Sequence, residues 1–232
     1  MKDNAYGVRA VERAVGVLAA LATADTPQTL TEIAAGARLS VPTTFRLLRT
    51  LQSEGLVSLG RDGGRYTLGP RILEFGHAYL RQFDIVTVAR PFLVAARNRV
   101  NETAGLAVRS GDSWVPIVSA EATQPIRRVM HPGEPTPLYA SGTGKLLLAG
   151  EPDEEIAAYL ARTRLEPFST TTVTTPETLW TQIREIRELG YSCSVNERGA
   201  GGVGVSAPVR GHDGRTVAAV LVAAPASRFT PE

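Results

Sequence analysis

The stretch Leu30-Thr31-Glu32-Ile33-Ala34-Ala35-Gly36-Ala37-Arg38-Leu39-Ser40-Val41-Pro42-Thr43-Thr44-Phe45-Arg46-Leu47-Leu48-Arg49 decides the fold. Apolar residues recur at helical spacing on both sides of a short break, so it reads as two short helices joined by a tight turn. In the second helix Thr44, Leu47, Leu48 and Leu51 fall at i, i+3, i+4 and i+7 and form one buried stripe. The opposite side carries Pro42, Arg46, Arg49 and Ser53, with Thr43 and Thr50 at its edge. Ser40 is placed to cap this helix, and Pro42 lies in its first turn, where a missing N–H has no helical partner to lose. The first helix buries Leu30, Ile33, Ala34 and Ala37. Ahead of both, Val8, Val11, Val15, Leu18 and Leu21 predict a longer amphipathic helix that closes a three-helix core.

Downstream, Glu54-Gly55 stops the second helix. Leu56-Val57-Ser58-Leu59 and Arg65-Tyr66-Thr67-Leu68 then flank Arg61-Asp62-Gly63-Gly64, as a two-stranded hairpin requires. Helix, turn, helix and hairpin in that order make a winged helix-turn-helix over residues 8–70, with the motif at about 30–49 and the wing at about 56–68. Such a unit places its second helix in the major groove of duplex DNA. The residues offered to DNA are Ser40, Thr43, Thr44, Arg46, Arg49 and Thr50 from the helix, and Arg61 and Arg65 from the wing. Arginine reads guanine bidentately or grips phosphate, and threonine brings a hydroxyl together with a methyl. Residues 1–70 hold eight basic and six acidic side chains, so the local surplus is only +2. A monomer with so few free charges neutralises few phosphates, which argues for a dimer on a pseudo-palindromic site.

The break at Gly69-Pro70 ends this unit. A connecting helix is expected over 71–85, and a further helix from about Val86 to Val100. The pattern then becomes strand-like: Thr103–Arg109, a Gly111-Asp112 turn, and Val115–Glu121. Helices follow near 143–149, 153–162 and 177–189, with strands near Tyr191–Val195, Val203–Val209 and Thr216–Ala223. The class is α+β, with antiparallel strands and helices packed against them over residues 86–232. The 232 residues are 43% hydrophobic, which suffices for one or two ordinary cores, and the overall charge of +2 excludes a general electrostatic scavenger of nucleic acid. Cys193 is the single cysteine, so no disulfide within the chain is possible. With no signal-peptide pattern and no apolar run of membrane-spanning length, a cytoplasmic protein that does not enter membranes is expected.

Val11-Glu12-Arg13-Ala14, Leu30–Ala34, Thr43–Leu51, Glu54–Val57 and Tyr66–Leu73 occur here in an order that resembles the IclR family of bacterial transcriptional regulators. Pro137–Lys145, Arg187–Tyr191 and Ala207-Pro208-Val209 extend the resemblance through most of the chain. It implies that the second domain is GAF-like, binds a small-molecule effector, and mediates homodimer or homotetramer contacts. Carried over position by position, it implies effector contacts at Gly142, Ser194, Gly204, Leu221 and Ala223. Members that take small polar acids carry an acidic residue at the position of Ser194, a cysteine at that of Gly204, and hydroxyls at those of Leu221 and Ala223. The substitutions here remove hydrogen-bonding partners and widen the cavity, which favours an apolar or aromatic effector. The resemblance also implies a regulator, more specifically a repressor.

Other motifs are set aside. Gly199, Gly201 and Gly204 satisfy Gly-x-Gly-x-x-Gly, but a strand follows rather than the helix a pyrophosphate needs. Gly142-Thr143-Gly144-Lys145 lacks the Ser or Thr and the leading glycine of a phosphate loop. His77, His131 and His212 are scattered, and no nucleophile elbow or metal-ligand spacing occurs, so neither an enzyme nor a cofactor is expected. Two rivals from other classes stand beside the regulator, a metabolite-sensing module whose winged helix makes only protein contacts and an enzyme acting on the pocket ligand, and the alternative within its own class is a regulator whose second domain only oligomerises.

Overall fold

In the first part of the chain, apolar stripes and breakers produce helix α1 (Arg9–Ala22), strand β1 (Gln28–Thr29), α2 (Leu30–Gly36), α3 (Val41–Ser53), β2 (Val57–Leu59), β3 (Arg65–Leu68) and α4 (Arg71–Arg81). The computed structural model describes residues 7–60, 63–81 and 84–229. The chain divides into two units, residues 1–82 and residues 83–232.

The first unit is a winged helix-turn-helix. Val17, Leu21, Ile33, Leu48, Leu51, Val57 and Tyr66 form its buried centre. Of the stripe expected on α1, Leu18 and Leu21 reach the core and the three valines do not. Val8, Val11 and Val15 point outward, while Ala14, Val17, Leu18 and Leu21 face the core. The helix carries two apolar stripes, and packing on Ile33 and Leu48 selects the one containing Val17, which is fully buried.

Helix α2 begins with a reciprocal cap: Glu32 N donates to Thr29 Oγ1, and Thr29 N donates to the Glu32 carboxylate at 2.7 Å. This satisfies two amide groups that the helix start leaves orphaned. Ser40 occupies the N-cap of α3 but makes no capping bond to the backbone; its hydroxyl donates instead to Thr43 Oγ1 at 2.9 Å. The wing is a three-stranded sheet in the order β1-β3-β2, all antiparallel. Strand β1 was not expected from the sequence. Arg71 holds α4 to the end of α3, donating to the Glu54 carbonyl at 2.9 Å and to its carboxylate at 2.8 Å.

The second unit runs α5 (Asp84–Val100), β4 (Thr103–Ser110), β5 (Ser113–Ala120), β6 (Thr136–Pro137), a 3-10 turn at Leu138–Ala140, α6 (Gly142–Ala149), α7 (Asp153–Arg162), α8 (Pro176–Leu189), β7 (Ser192–Val195), β8 (Gly202–Arg210) and β9 (Thr216–Pro225). Its six strands form one antiparallel sheet in the order β6-β5-β4-β9-β8-β7. Leu138, Leu146, Leu148, Ile156, Tyr159, Leu179 and Ile183 are buried between this sheet and helices α6, α7 and α8. Burial pushes the Tyr159 phenol up to about 12. Among the described residues, no helix is long and apolar enough to cross a membrane.

Candidate functional site

The solvent face of α3 presents Pro42, Arg46, Arg49, Thr50 and Ser53, with Thr43 half-buried at its edge. Among the described residues neither Arg46 nor Arg49 has an ion-pair partner, so both guanidinium groups are available to an external acceptor. Thr44 belongs elsewhere. It is 0% exposed, and its hydroxyl donates to the Ser40 carbonyl at 3.1 Å, so the expectation that it faces DNA is corrected: the side chain fills the core stripe. Phe45, 45% exposed, and Val41 add apolar surface to the outer face, which the charge-based reading missed. Thr50 donates to the Arg46 carbonyl at 3.2 Å. Arg65 lies on the wing with its guanidinium occupied, donating to the Pro27 carbonyl at 2.9 Å and lying 3.8 Å from Glu32. Arg61 lies outside the described residues.

In the second unit, β-sheet register aligns the sequence-derived effector residues. Ser194 pairs with Gly204, and Gly204 pairs with Ala223, so the three form one row across β7, β8 and β9. Leu221 lies two residues from Ala223 on the same strand and therefore on the same face. These four residues line a cavity of about 360 Å³, with Trp114, Val129, Met130, Ala140 and Val203 supplying most of its remaining apolar wall. Gly142 does not line it. It is buried behind the wall, where a Cβ would come within 3.1 Å of both Ser192 Oγ and Ser194 Oγ.

The hydroxyls at the α6 end are committed. Ser141 Oγ accepts from Trp114 Nε1 at 2.9 Å and from Gly144 N, and Thr143 shares a 2.7 Å bond with Ser206. Behind them Lys145, with its side chain only 3% exposed, donates to Glu197 at 2.5 Å and to Gln182 at 2.6 Å. Burial lowers the Lys145 ammonium and raises the Glu197 carboxyl from their ordinary values, while their mutual attraction opposes both shifts.

Sequence reasoning missed the charged mouth of this cavity. Arg127 and Arg128 arrive on the segment between β5 and β6, and Arg198 on the loop between β7 and β8. That loop is the glycine run set aside as a dinucleotide motif. Gly199 at φ 139° and Gly201 at φ 82° take backbone conformations that side chains disfavour, and Asn196 Oδ1 accepts from Gly201 N and Gly202 N to hold the bend. Ser169 and Thr172 donate to the Glu197 carbonyl, at 3.2 and 2.6 Å, and fix its other side. Among the described residues no three His, Cys, Asp or Glu side chains gather as a metal site.

Comparison with known proteins agrees with this architecture. The family model for the IclR helix-turn-helix domain matches residues 10–59, and that for the bacterial transcriptional regulator IclR C-terminal domain matches residues 77–232. The chain belongs to the IclR family. It is therefore a DNA-binding transcriptional regulator with a separate effector-binding domain. The HTH-type transcriptional repressor AllR of Escherichia coli (strain K12) is 31% identical to this IclR chain over 226 residues, covering 97% of it and 83% of AllR. Among solved structures, an IclR regulator from Alicyclobacillus acidocaldarius is 27% identical at TM-score 0.84, covering 97% of this chain and 91% of the other. An IclR homologue from Microbacterium hydrocarbonoxydans, complexed with 4-hydroxybenzoate, is 26% identical at TM-score 0.76, covering 95% and 91% respectively.

Proposed function

We propose that this regulator is a repressor that binds a pseudo-palindromic operator as a dimer or tetramer, and whose grip on DNA is changed by an apolar or aromatic effector in the cavity beside Ser194, Gly204, Leu221 and Ala223. The observation carrying the ligand class is the row across β7, β8 and β9, in which Ser194 is followed by Gly204 and Ala223, two positions that offer wall area rather than side-chain hydrogen bonds. Buried apolar area contributes about 25 cal/mol per Å², so a ring or alkyl body is favoured over a two-carbon polar acid. The 4-hydroxybenzoate bound by the Microbacterium homologue is a ligand of this kind, and the AllR relative supports repression. The cavity volume of about 360 Å³ falls within the range of roughly 300–1,000 Å³ usual for small-molecule sites. With the Ser141 and Thr143 hydroxyls tied to neighbours, we read the cavity as a binding site rather than a catalytic one.

The test is operator affinity by fluorescence anisotropy, with and without a panel of aromatic, aliphatic and glyoxylate-sized acids. At least one aromatic or aliphatic acid is expected to shift affinity in the wild type and to lose its effect in Ala223→Trp, whose indole fills the cavity. A response only to glyoxylate, or a normal response in the variant, overturns the apolar reading. No response to any acid supports the rival in which the second domain only oligomerises.

A further inference from the structure

We propose that Arg128 and Arg198 form a clamp for a carboxylate at the mouth of the cavity, so that the effector is an amphipathic acid bound with its apolar body inward and its anion on the two guanidinium groups. The inference rests on reading this cavity as the effector pocket and adds what that reading leaves open, the ligand's charge and orientation.

Three observations converge on it. Both arginines line the same cavity from different loops, and among the described residues neither has an ion-pair partner, whereas the adjacent Arg127 is matched by Glu121 at 2.9 Å. The Arg128 guanidinium lies over the bare backbone of Gly202, where a Cβ would come within 2.6 Å of Nη2, and this sets it at the start of β8 beside the Arg198 loop. Burial lowers the Arg198 pKa; Glu134 opposes the shift, and the like charge of Arg128 adds to it. Two cations at one mouth, neither of them bridged to a carboxylate among the described residues, favour an incoming anion, and arginine presents paired donors that match a carboxylate bidentately.

The remaining charges are accounted for. Glu197 also lines the cavity, but its charge is matched by Lys145 at 2.5 Å. Glu134 attracts Arg198 through space but forms no salt bridge with it. At the opposite end the Ser141 and Thr143 hydroxyls are already bonded, so the mouth holds the strongest free donors. Both arginine-bearing segments are anchored. Thr103 Oγ1 donates to the Arg128 carbonyl at 2.6 Å, and Asn196 and Thr172 hold the loop carrying Arg198.

The experiment is isothermal titration calorimetry of the full chain with benzoate, phenylacetate and hexanoate, each against its primary amide, which keeps the body and removes the charge. For at least one pair the acid is expected to bind about tenfold or more tightly than the amide. That preference should weaken as salt is raised and collapse in Arg128→Gln/Arg198→Gln, but persist in the charge-matched surface control Arg164→Gln/Arg215→Gln. Thermal unfolding of each variant verifies folding. Equal binding of acids and amides, or an acid preference that survives in the double variant, overturns the clamp while leaving the apolar pocket standing. Absence of binding by every acid and every amide overturns both.

Discussion

Lys145 and Glu197 are buried together, and each tolerates its charge because the other is within hydrogen-bond reach. Replacing Glu197 with Gln leaves an ammonium in a dry site with only neutral amide oxygens to accept from it, and loss of the opposite charge in such a pair costs about 3–5 kcal/mol. The pH dependence has a definite sign. Burial already lowers Lys145, and removing its anion lowers it further, so in Glu197→Gln the native state binds fewer protons than the unfolded state between the depressed pKa and the unfolded value near about 10.4. Stability of the variant relative to wild type should therefore rise with pH across that window, and the full penalty should apply below it. Urea midpoints at pH 7 and pH 9.5 measure this, and Lys145→Met/Glu197→Gln should recover most of the loss. A penalty that is flat or grows with pH would show that the ammonium is not the cause.

Among the elements, α3 is the one proposed to read DNA, and Arg46→Ala tests it. The side chain is exposed and opposite Leu48 and Leu51, so the variant should keep its circular dichroism and melting temperature. Its specific operator binding should weaken by roughly 1–3 kcal/mol per half-site if the guanidinium reads a base. Unchanged affinity in a well-folded variant would refute this docking face. Helices whose periodicity and stop signals agree were legible in the sequence. Helix α7 was expected at 153–162 and spans Asp153–Arg162, because Pro152 and three acidic residues mark its start. Where only tertiary packing decides, the sequence was ambiguous: α1 offered two apolar stripes, and β1 and β6, each two residues long, carry no pattern of their own. The four sequence-derived pocket positions share a cavity because strand register is regular. Arg128 and Arg198 escaped notice because they sit on loops some seventy residues apart, which meet only after the sheet forms. The Thr29-x-x-Glu32 capping box, by contrast, is readable in the sequence itself.

For the whole molecule, the small charge surplus of the first unit supports the proposal that operator affinity depends on doubling. A dimer should protect two half-sites about one helical turn or a multiple apart, and log K should fall linearly with log salt, at a slope near twice that of an isolated half-site. Footprinting of a single asymmetric half-site, with binding linear in monomer concentration, would contradict this. The sheet order of the second unit has a different kind of consequence. Strand β4, the first to be made, lies against β9, the last, with Thr103 opposite Ala223, whereas the winged head has all its own strands and helices by residue 82. A chain leaving the ribosome can thus finish its DNA reader early, while the middle of the sensor waits for the final strand of the sheet. Nonsense or frameshift lesions falling between β8 and β9 remove the shared neighbour of β4 and β8 without touching the head. Such alleles part recognition from obedience: the head keeps its groove-reading face, deaf to the metabolite, but loses whatever pairing the second domain supplies and is left with the weak grip of a single half-site.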